Sequence, residues 1–261
     1  MSEHASVDLT RDGAVGIITM NRPDKLNAFS PDMRRQLAQR AREAQEDRTI
    51  RAVVLTGAGR AFCAGGDIGA MSTRPDAVDT RAWIKLAHDA TLALLALEKP
   101  LIVAINGVAA GVGFNVTLTG DILLAADNAK LIQSFARVGV VPDGGGLWLL
   151  SRMVGMLKAK EMFLLTTTLT AQEAKDLGLV RDVYPPEQLM PEALAMAHRL
   201  ATGPTMAFGL GKALAHRAVS ADLESYLALE AVGQATVMNT DDHHEAVAAF
   251  LERRTPEFKG S

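Results

Sequence analysis

The sequence predicts an α/β fold, and three observations carry the prediction. Short apolar runs at Val15–Met20, 52–56 and Leu101–Ile105 read as buried strands. Each gives way to a polar or glycine-rich loop and then to a segment with helical signals, the alternation of an α/β chain. The unit begins near residues 15, 52 and 101, too irregularly for a solenoid of fixed period. It fits a loose spiral of β-β-α turns.

Taken in order, the elements have local reasons. Ser30-Pro31 opens an amphipathic helix that runs to about Asp47, with serine as cap and proline in the first turn. The strand 52–56 follows, then a glycine-rich loop from Gly57 to Gly69. A helical stretch over 77–97 ends before Lys99-Pro100. After the strand at Leu101–Ile105, Asn106-Gly107 turns into a second glycine-rich segment, and short strands are expected at 121–126 and 130–134. Beyond residue 146 helices dominate. The first spans 147–165, and Thr170-Ala-Gln-Glu173 is a capping box that opens another. A short strand at 179–183 precedes helices at 187–201, 205–219, 221–238 and 241–253.

Composition narrows the function classes. With 48% hydrophobic and 22% charged residues in 261, a sizeable core is possible. A formal net charge of -3 argues against a nucleic-acid partner, which normally meets a basic face. Cys63 is the single cysteine, so there is no internal disulfide framework, and the chain suits a reducing cytoplasm. The amino-terminal residues lack the charged-then-apolar pattern of a signal peptide. No apolar run approaches the roughly 18 residues of a spanning helix. The expectation is a cytoplasmic protein without a membrane partner.

The two glycine loops are Gly57-Ala-Gly-Arg-Ala-Phe-Cys-Ala-Gly-Gly-Asp67 and Asn106-Gly-Val-Ala-Ala-Gly-Val-Gly113. Both follow a buried strand and lead toward a helix. Neither is a nucleotide motif. A dinucleotide fingerprint starting at Gly57 needs glycine at position 62, where Phe62 stands. The chain also lacks a phosphate-binding loop ending in Gly-Lys-Ser or Gly-Lys-Thr, and a Gly-x-Ser-x-Gly elbow. Such loops either make tight turns or present bare backbone N–H groups to an anion or a developing oxyanion.

Three segments resemble hallmark sequences of the enoyl-CoA hydratase/isomerase (crotonase) superfamily. They are Asn-Arg-Pro-Asp-Lys-Leu-Asn-Ala-Phe-Ser (21–30), Ala-Phe-Cys-Ala-Gly-Gly-Asp-Ile (61–68) and Asn-Gly-Val-Ala-Ala-Gly-Val-Gly (106–113). Phe-Leu-Glu-Arg-Arg-Thr-Pro-Glu-Phe-Lys (250–259) extends the resemblance over nearly the whole chain. It implies a crotonase-like spiral of ββα turns over residues 1–199 with the CoA and active sites, and a helical trimerisation region over 200–261. The implied assembly is a homotrimer or a dimer of trimers. The implied substrate is an acyl-CoA thioester, with no cofactor beyond its CoA. By position, the backbone N–H groups of Gly66 and Val112 should form an oxyanion hole, each worth about 3–4 kcal/mol to an oxyanion-forming step. Val112 stands where the family more often has glycine, so its backbone angles must suit a β-branched residue. The same resemblance lines the CoA path with Lys25, Leu26, Ala28, Ala64 and Gly66. Phe258 and Lys259 either reach a neighbouring subunit's CoA or form a solvated tail.

Departures from the pattern select the chemistry. Hydratases of the superfamily carry two glutamates where this chain has Asn115 and Phe135. Asparagine cannot shuttle a proton, and phenylalanine can neither hold nor deprotonate water. An acid appears instead at Asp143, in Val-Val-Pro-Asp-Gly-Gly-Gly (140–146). Without context this is a turn signature whose Asp caps its own backbone. By position it matches the proton-shuttling aspartate of dienoyl-CoA isomerases and of ring-epoxide phenylacetyl-CoA isomerases, and the flanking residues most resemble the latter branch. The resemblance therefore implies an isomerase with one carboxylate, its basicity raised by an apolar wall that includes Phe135. Chlorobenzoyl-CoA dehalogenases use the same aspartate position as nucleophile, and His88 matches their histidine, although their tryptophan is replaced by Phe135. Otherwise His88 is a polar-face residue of the 77–97 helix. A non-catalytic CoA-ester-binding protein is the alternative from another class. Cys63 reads as a small apolar filler, Thr240-Asp-Asp-His-His244 as a helix cap in place of a metal cluster, and the 221–238 helix as a packing face.

Overall fold

The computed structural model describes residues 5–67, 69 and 76–261. Residues 1–4, read above against a signal segment, and Ile68, which ends one of the quoted loops, lie outside the described residues.

The larger of two sheets holds β1 (Val7–Asp12), β2 (Val15–Met20), β3 (Ala52–Gly57), β5 (Leu101–Ile105), β7 (Ile122–Ala126) and β10 (Asp182–Tyr184), in that spatial order. β1 and β2 form an antiparallel hairpin with Val7 opposite Met20, and every later pairing in this sheet is parallel. The smaller sheet is β4 (Ala61–Cys63), β6 (Val108–Ala110), β8 (Lys130–Ile132) and β9 (Thr168–Thr170), parallel except for the last pair. Each of β3, β5 and β7 is followed within a few residues by β4, β6 or β8. Every turn of the chain thus supplies one strand to each sheet, which makes the fold a crotonase-like spiral of ββα turns.

β3 and β5 are buried at every residue, as parallel strands covered on both faces must be. Period-2 alternation sends Val53, Leu55, Leu101, Val103 and Ile105 into one core, and Ala52, Val54, Ile102 and Ala104 into the other. The first core packs under α1 (Pro31–Glu46) and α2 (Ala77–Leu95), the second under α7 (Pro186–Ala201). Ser30 Oγ caps α1 by accepting from Met33 N–H at 3.2 Å, and Asp76 caps α2.

The other helices are α3 (Val112–Thr117), α4 (Gly146–Val154), α5 (Met156–Leu164), α6 (Ala171–Asp176), α8 (Thr205–Ala218), α9 (Leu223–Val237) and α10 (Asp241–Glu252). The single helix expected at 147–165 is two, because Gly155 adopts φ 83° and ψ 156°, backbone angles that L side chains resist. The strand expected at 179–183 is confined to Asp182–Tyr184, and that at 130–134 ends at Ile132 before a 3-10 turn, Ser134–Val138. β1 and the three-residue strands β4, β6 and β9 were not anticipated.

Among the described residues no helix is long and apolar enough to cross a membrane. The carboxy-terminal helices leave large apolar side chains open on the single chain: Leu223, Leu227, Leu229, Val232, Val247 and Phe250, the last 82% exposed.

Candidate active site

The segment 22–28 is a tight turn held from inside by one side chain. Leu26 and Asn27 both take positive φ, 51° and 55°, which non-glycine residues adopt at a cost. The fully buried Asn27 offsets that cost. Its Oδ1 accepts from Arg22 N–H at 2.8 Å, and its Nδ2 donates to the carbonyls of Ala58 and Ala61 at 2.9 and 2.8 Å. The turn docks on the first glycine loop, with Ala64 N–H donating to Leu26 O at 2.9 Å and Phe29 N–H to Gly65 O at 2.8 Å. Leu26, Ala28, Ala64 and Gly66 are thereby brought together, with Lys25 exposed at the outer edge.

β4 and β6 are neighbouring parallel strands, so the loops leaving their carboxyl ends emerge side by side. Gly66 lies three residues beyond Cys63, and Val112 two beyond Ala110. The two loops are in contact: a Cβ placed on Gly113 would stand 2.3 Å from Cys63 O and 2.7 Å from its Cβ, so only glycine fits. Gly111, with φ 52°, turns the chain so that Val112 becomes the first residue of α3. A first-turn N–H has no helical acceptor, and the described backbone bonds give Gly66 N–H no acceptor either. Val112 has no positive φ, so its β-branched side chain is compatible with its place. It is 3% exposed.

Asp143 approaches the same point from a third element. A Cβ on its neighbour Gly144 would lie 3.5 Å from Val112 Cγ2, and Gly144 O accepts from Thr91 Oγ of α2 at 3.0 Å. The Asn115 side chain is fully buried against this loop. Nδ2 donates to Asp143 O at 2.8 Å, and Oδ1 accepts from Gln133 Nε2 at 2.8 Å. Both ends of the carboxamide are occupied, because a buried amide must be hydrogen-bonded. Phe135, 8% exposed, closes the other side: a Cβ on Gly111 would lie 3.8 Å from its ring.

The Asp143 side chain is largely buried, and its Oδ1 is shut from solvent without a hydrogen-bond partner. Burial pushes its carboxyl above the ordinary carboxylate range, against the pull of the Arg34 guanidinium and the His88 ring. His88 is itself exposed, one turn before Thr91 on α2. Cys63 is fully buried, and burial pushes its thiol up to about 12, so it is an uncharged filler. The residues that sequence reading missed are Gln133, Thr91, Trp83 and above all Arg34, which is 0% exposed on the inner face of α1.

Two expected residues lie elsewhere on this chain. Phe258 O accepts from Arg51 Nη1 at 2.8 Å, and Lys259 N–H donates to Asp242 at 2.6 Å. The tail is therefore tied by its backbone to Arg51, just before β3, and to α10, not left loose. Thr240 caps α10 through His243 N–H. Among the described residues no three His, Cys, Asp or Glu side chains gather as metal ligands.

The spiral of ββα turns thus sets the two glycine loops against each other, with the loop that carries the buried Asp143 packed toward Val112. The enoyl-CoA hydratase/isomerase family profile matches residues 10–261, and the chain belongs to that family. It is 40% identical to 1,2-epoxyphenylacetyl-CoA isomerase of Escherichia coli K12, over 93% of this chain and 94% of that one. It is 37% identical to a probable enoyl-CoA hydratase of Rhodobacter capsulatus, over 94% and 95%. Among solved structures, an enoyl-CoA hydratase of Mycobacterium smegmatis superposes with TM-score 0.92 at 34% identity, covering 98% of this chain and 99% of that one.

Proposed function

We propose that the protein is an acyl-CoA isomerase that shifts a double bond or rearranges a ring-epoxide thioester with one proton carrier. The observation that carries this reading is the state of the two positions where hydratases have glutamates. The Asn115 carboxamide is committed at both ends, and Phe135 is an apolar wall. Asp143 supplies a buried carboxyl next to Gly144, where a Cβ would lie 3.5 Å from Val112 Cγ2.

The thioester oxygen is read as lying against the N–H groups of Gly66 and Val112, with CoA running past Lys25, Leu26, Ala28 and Ala64. Asp143 takes a proton from one acyl carbon, the two N–H groups hold the enolate oxygen, and Asp143 returns the proton to another carbon. Atoms balance without a cofactor beyond the substrate's CoA. The similarity to 1,2-epoxyphenylacetyl-CoA isomerase supports a ring-epoxide substrate. The hydratase names of other relatives keep hydration as the competing outcome. Electrostatic contact between His88 and Asp143 favours a second reading, attack by Asp143 on an aryl-CoA halide. The exposed apolar face of the carboxy-terminal helices supports assembly as a homotrimer or a dimer of trimers. The setting proposed is the cytoplasm.

The test is incubation in D₂O with ring-epoxide, dienoyl and straight-chain 3-enoyl CoA esters, read by mass spectrometry. Deuterium at the α or γ carbon of an isomerised product supports the proposal. Uptake of solvent oxygen makes the protein a hydratase, released halide makes it a dehalogenase, and binding without conversion makes it a non-catalytic CoA-ester binder.

A further inference from the structure

Arg34 is a buried charge that forms no salt bridge among the described residues. Its guanidinium stacks over the Trp83 ring at 4.2 Å and lies 5.4 Å from the Phe29 ring centroid. Nε donates to Phe29 O at 3.2 Å and Nη1 to Trp83 O at 3.1 Å. Nη2 is shut from solvent with no partner, and Asp143 Oδ1 is in the same condition. Carbonyl contacts satisfy donors but do not neutralise a cation, and an uncompensated buried charge is expensive. The acids within electrostatic reach are Asp143 and Cys63, and the Cys63 thiol is neutral. Asp143 is the remaining counter-charge.

The location of Arg34 gives that pairing a chemical meaning. Phe29, whose carbonyl anchors Nε, donates its own N–H to Gly65 beside the proposed oxyanion donor Gly66. Trp83, whose carbonyl anchors Nη1, lies on α2, which also fastens Gly144 through Thr91. One fixed cation therefore spans the thioester side and the carboxyl side of the site. We infer that Arg34 is a positioning residue for the proton transfer, the cation against which the Asp143 carboxylate is charged and aimed. The inference rests on the reading of Asp143 as the proton carrier. Burial alone favours the protonated carboxyl, which cannot begin by accepting a proton, whereas full solvation would leave it a weak base. Arg34 from α1 and the exposed His88 from α2 are the positive groups that oppose burial. Arg34 is the one fixed by packing.

The test is the pH profile of kcat/KM for 3-hexenoyl-CoA in Arg34→Met and Arg34→Lys. Removing the cation raises the carboxyl further, so the acid limb moves to higher pH. A displacement of about one unit makes the loss at a pH below both limbs about tenfold greater than on the plateau above them. Arg34→Lys keeps the charge but not the fork, so its limb stays in place while kcat falls. Equal loss at every pH in a folded Arg34→Met protein assigns Arg34 to packing and overturns the inference. Where Arg34→Met does not fold, a displaced limb or an undiminished kcat in Arg34→Lys overturns it. Inactive Asp143→Asn with a limb indifferent to Arg34 refutes this inference alone. An active Asp143→Asn refutes the isomerase reading itself.

Discussion

The Asn115 carboxamide donates to the main-chain carbonyl of Asp143 across 2.8 Å, from a helix that begins at the proposed oxyanion donor Val112. The Asn115 side chain is a fastener for the loop bearing Asp143. Asn115→Ala removes that fastener, leaves the Gln133 amide without its acceptor and leaves the Asp143 carbonyl with Gly146 N–H alone. We expect a stability loss of about 1–3 kcal/mol in urea denaturation. Turnover should fall yet remain well above that of Asp143→Asn, and an equal collapse in both variants would contradict the one-carboxylate mechanism.

Asp143→Asn should abolish turnover and leave CoA-ester binding within about tenfold, because it removes the proton carrier and not the thioester contacts. Isothermal titration beside the isomerisation assay separates the two effects.

In the wild type the buried Asp143 carboxyl titrates above its ordinary value. Activity that needs the ionised form should therefore be lost as pH falls through this raised value, at a pH where a solvated aspartate would still be charged. A kcat/KM profile flat down to pH 4 would show that no such group limits the reaction.

Gly113→Ala would set a Cβ against Cys63 O and force the two glycine loops apart. Losing one oxyanion donor is worth about 3–4 kcal/mol, so kcat should fall about a hundredfold or more. Circular dichroism checks that the fold survives, and unimpaired kcat would mean that the loops need not stay in register.

Cys63, buried and with its thiol pushed up to about 12, should resist an aromatic disulfide reagent at pH 8 and react only on unfolding. Stoichiometric labelling of the native protein would count against the packing of the first loop.

Phe258→Ala/Lys259→Ala keeps the backbone anchors to Arg51 and Asp242, which truncation after Arg254 would remove. If the two side chains complete a neighbour's CoA site, CoA-ester affinity falls while light scattering still reports the wild-type assembly. Unchanged affinity takes them out of the site.

Where local signals were strong, the sequence was a good guide. Val15–Met20 and Leu101–Ile105 are strands end to end, and the serine and threonine caps at Ser30 and Thr170 open the helices they announce. β4, β6 and β9 were illegible because three residues carry no usable period, and their pairing is set by partners far along the chain. The helical run 147–165 hid its break because one glycine within a helical pattern is ambiguous. Arg34 was missed because Arg34-Arg35 reads as a wetted helix face. The signal was there in its spacing: Arg34, Leu37, Ala38 and Ala41 share one buried stripe. The task of Asn115 depends on Gln133 and on the loop at Asp143, which no spacing reveals.

The groups proposed to activate the thioester are main-chain atoms, so no replacement short of proline deletes them. The groups proposed to choose the reaction are side chains, at positions 115, 135 and 143. Inheritance of the two functions is therefore uncoupled. A combinatorial library over those three positions could wander among reaction types while each member still polarises an acyl thioester. Starting such a search from this scaffold places most of its risk in loop stability, where Asn115 now holds the acid in line.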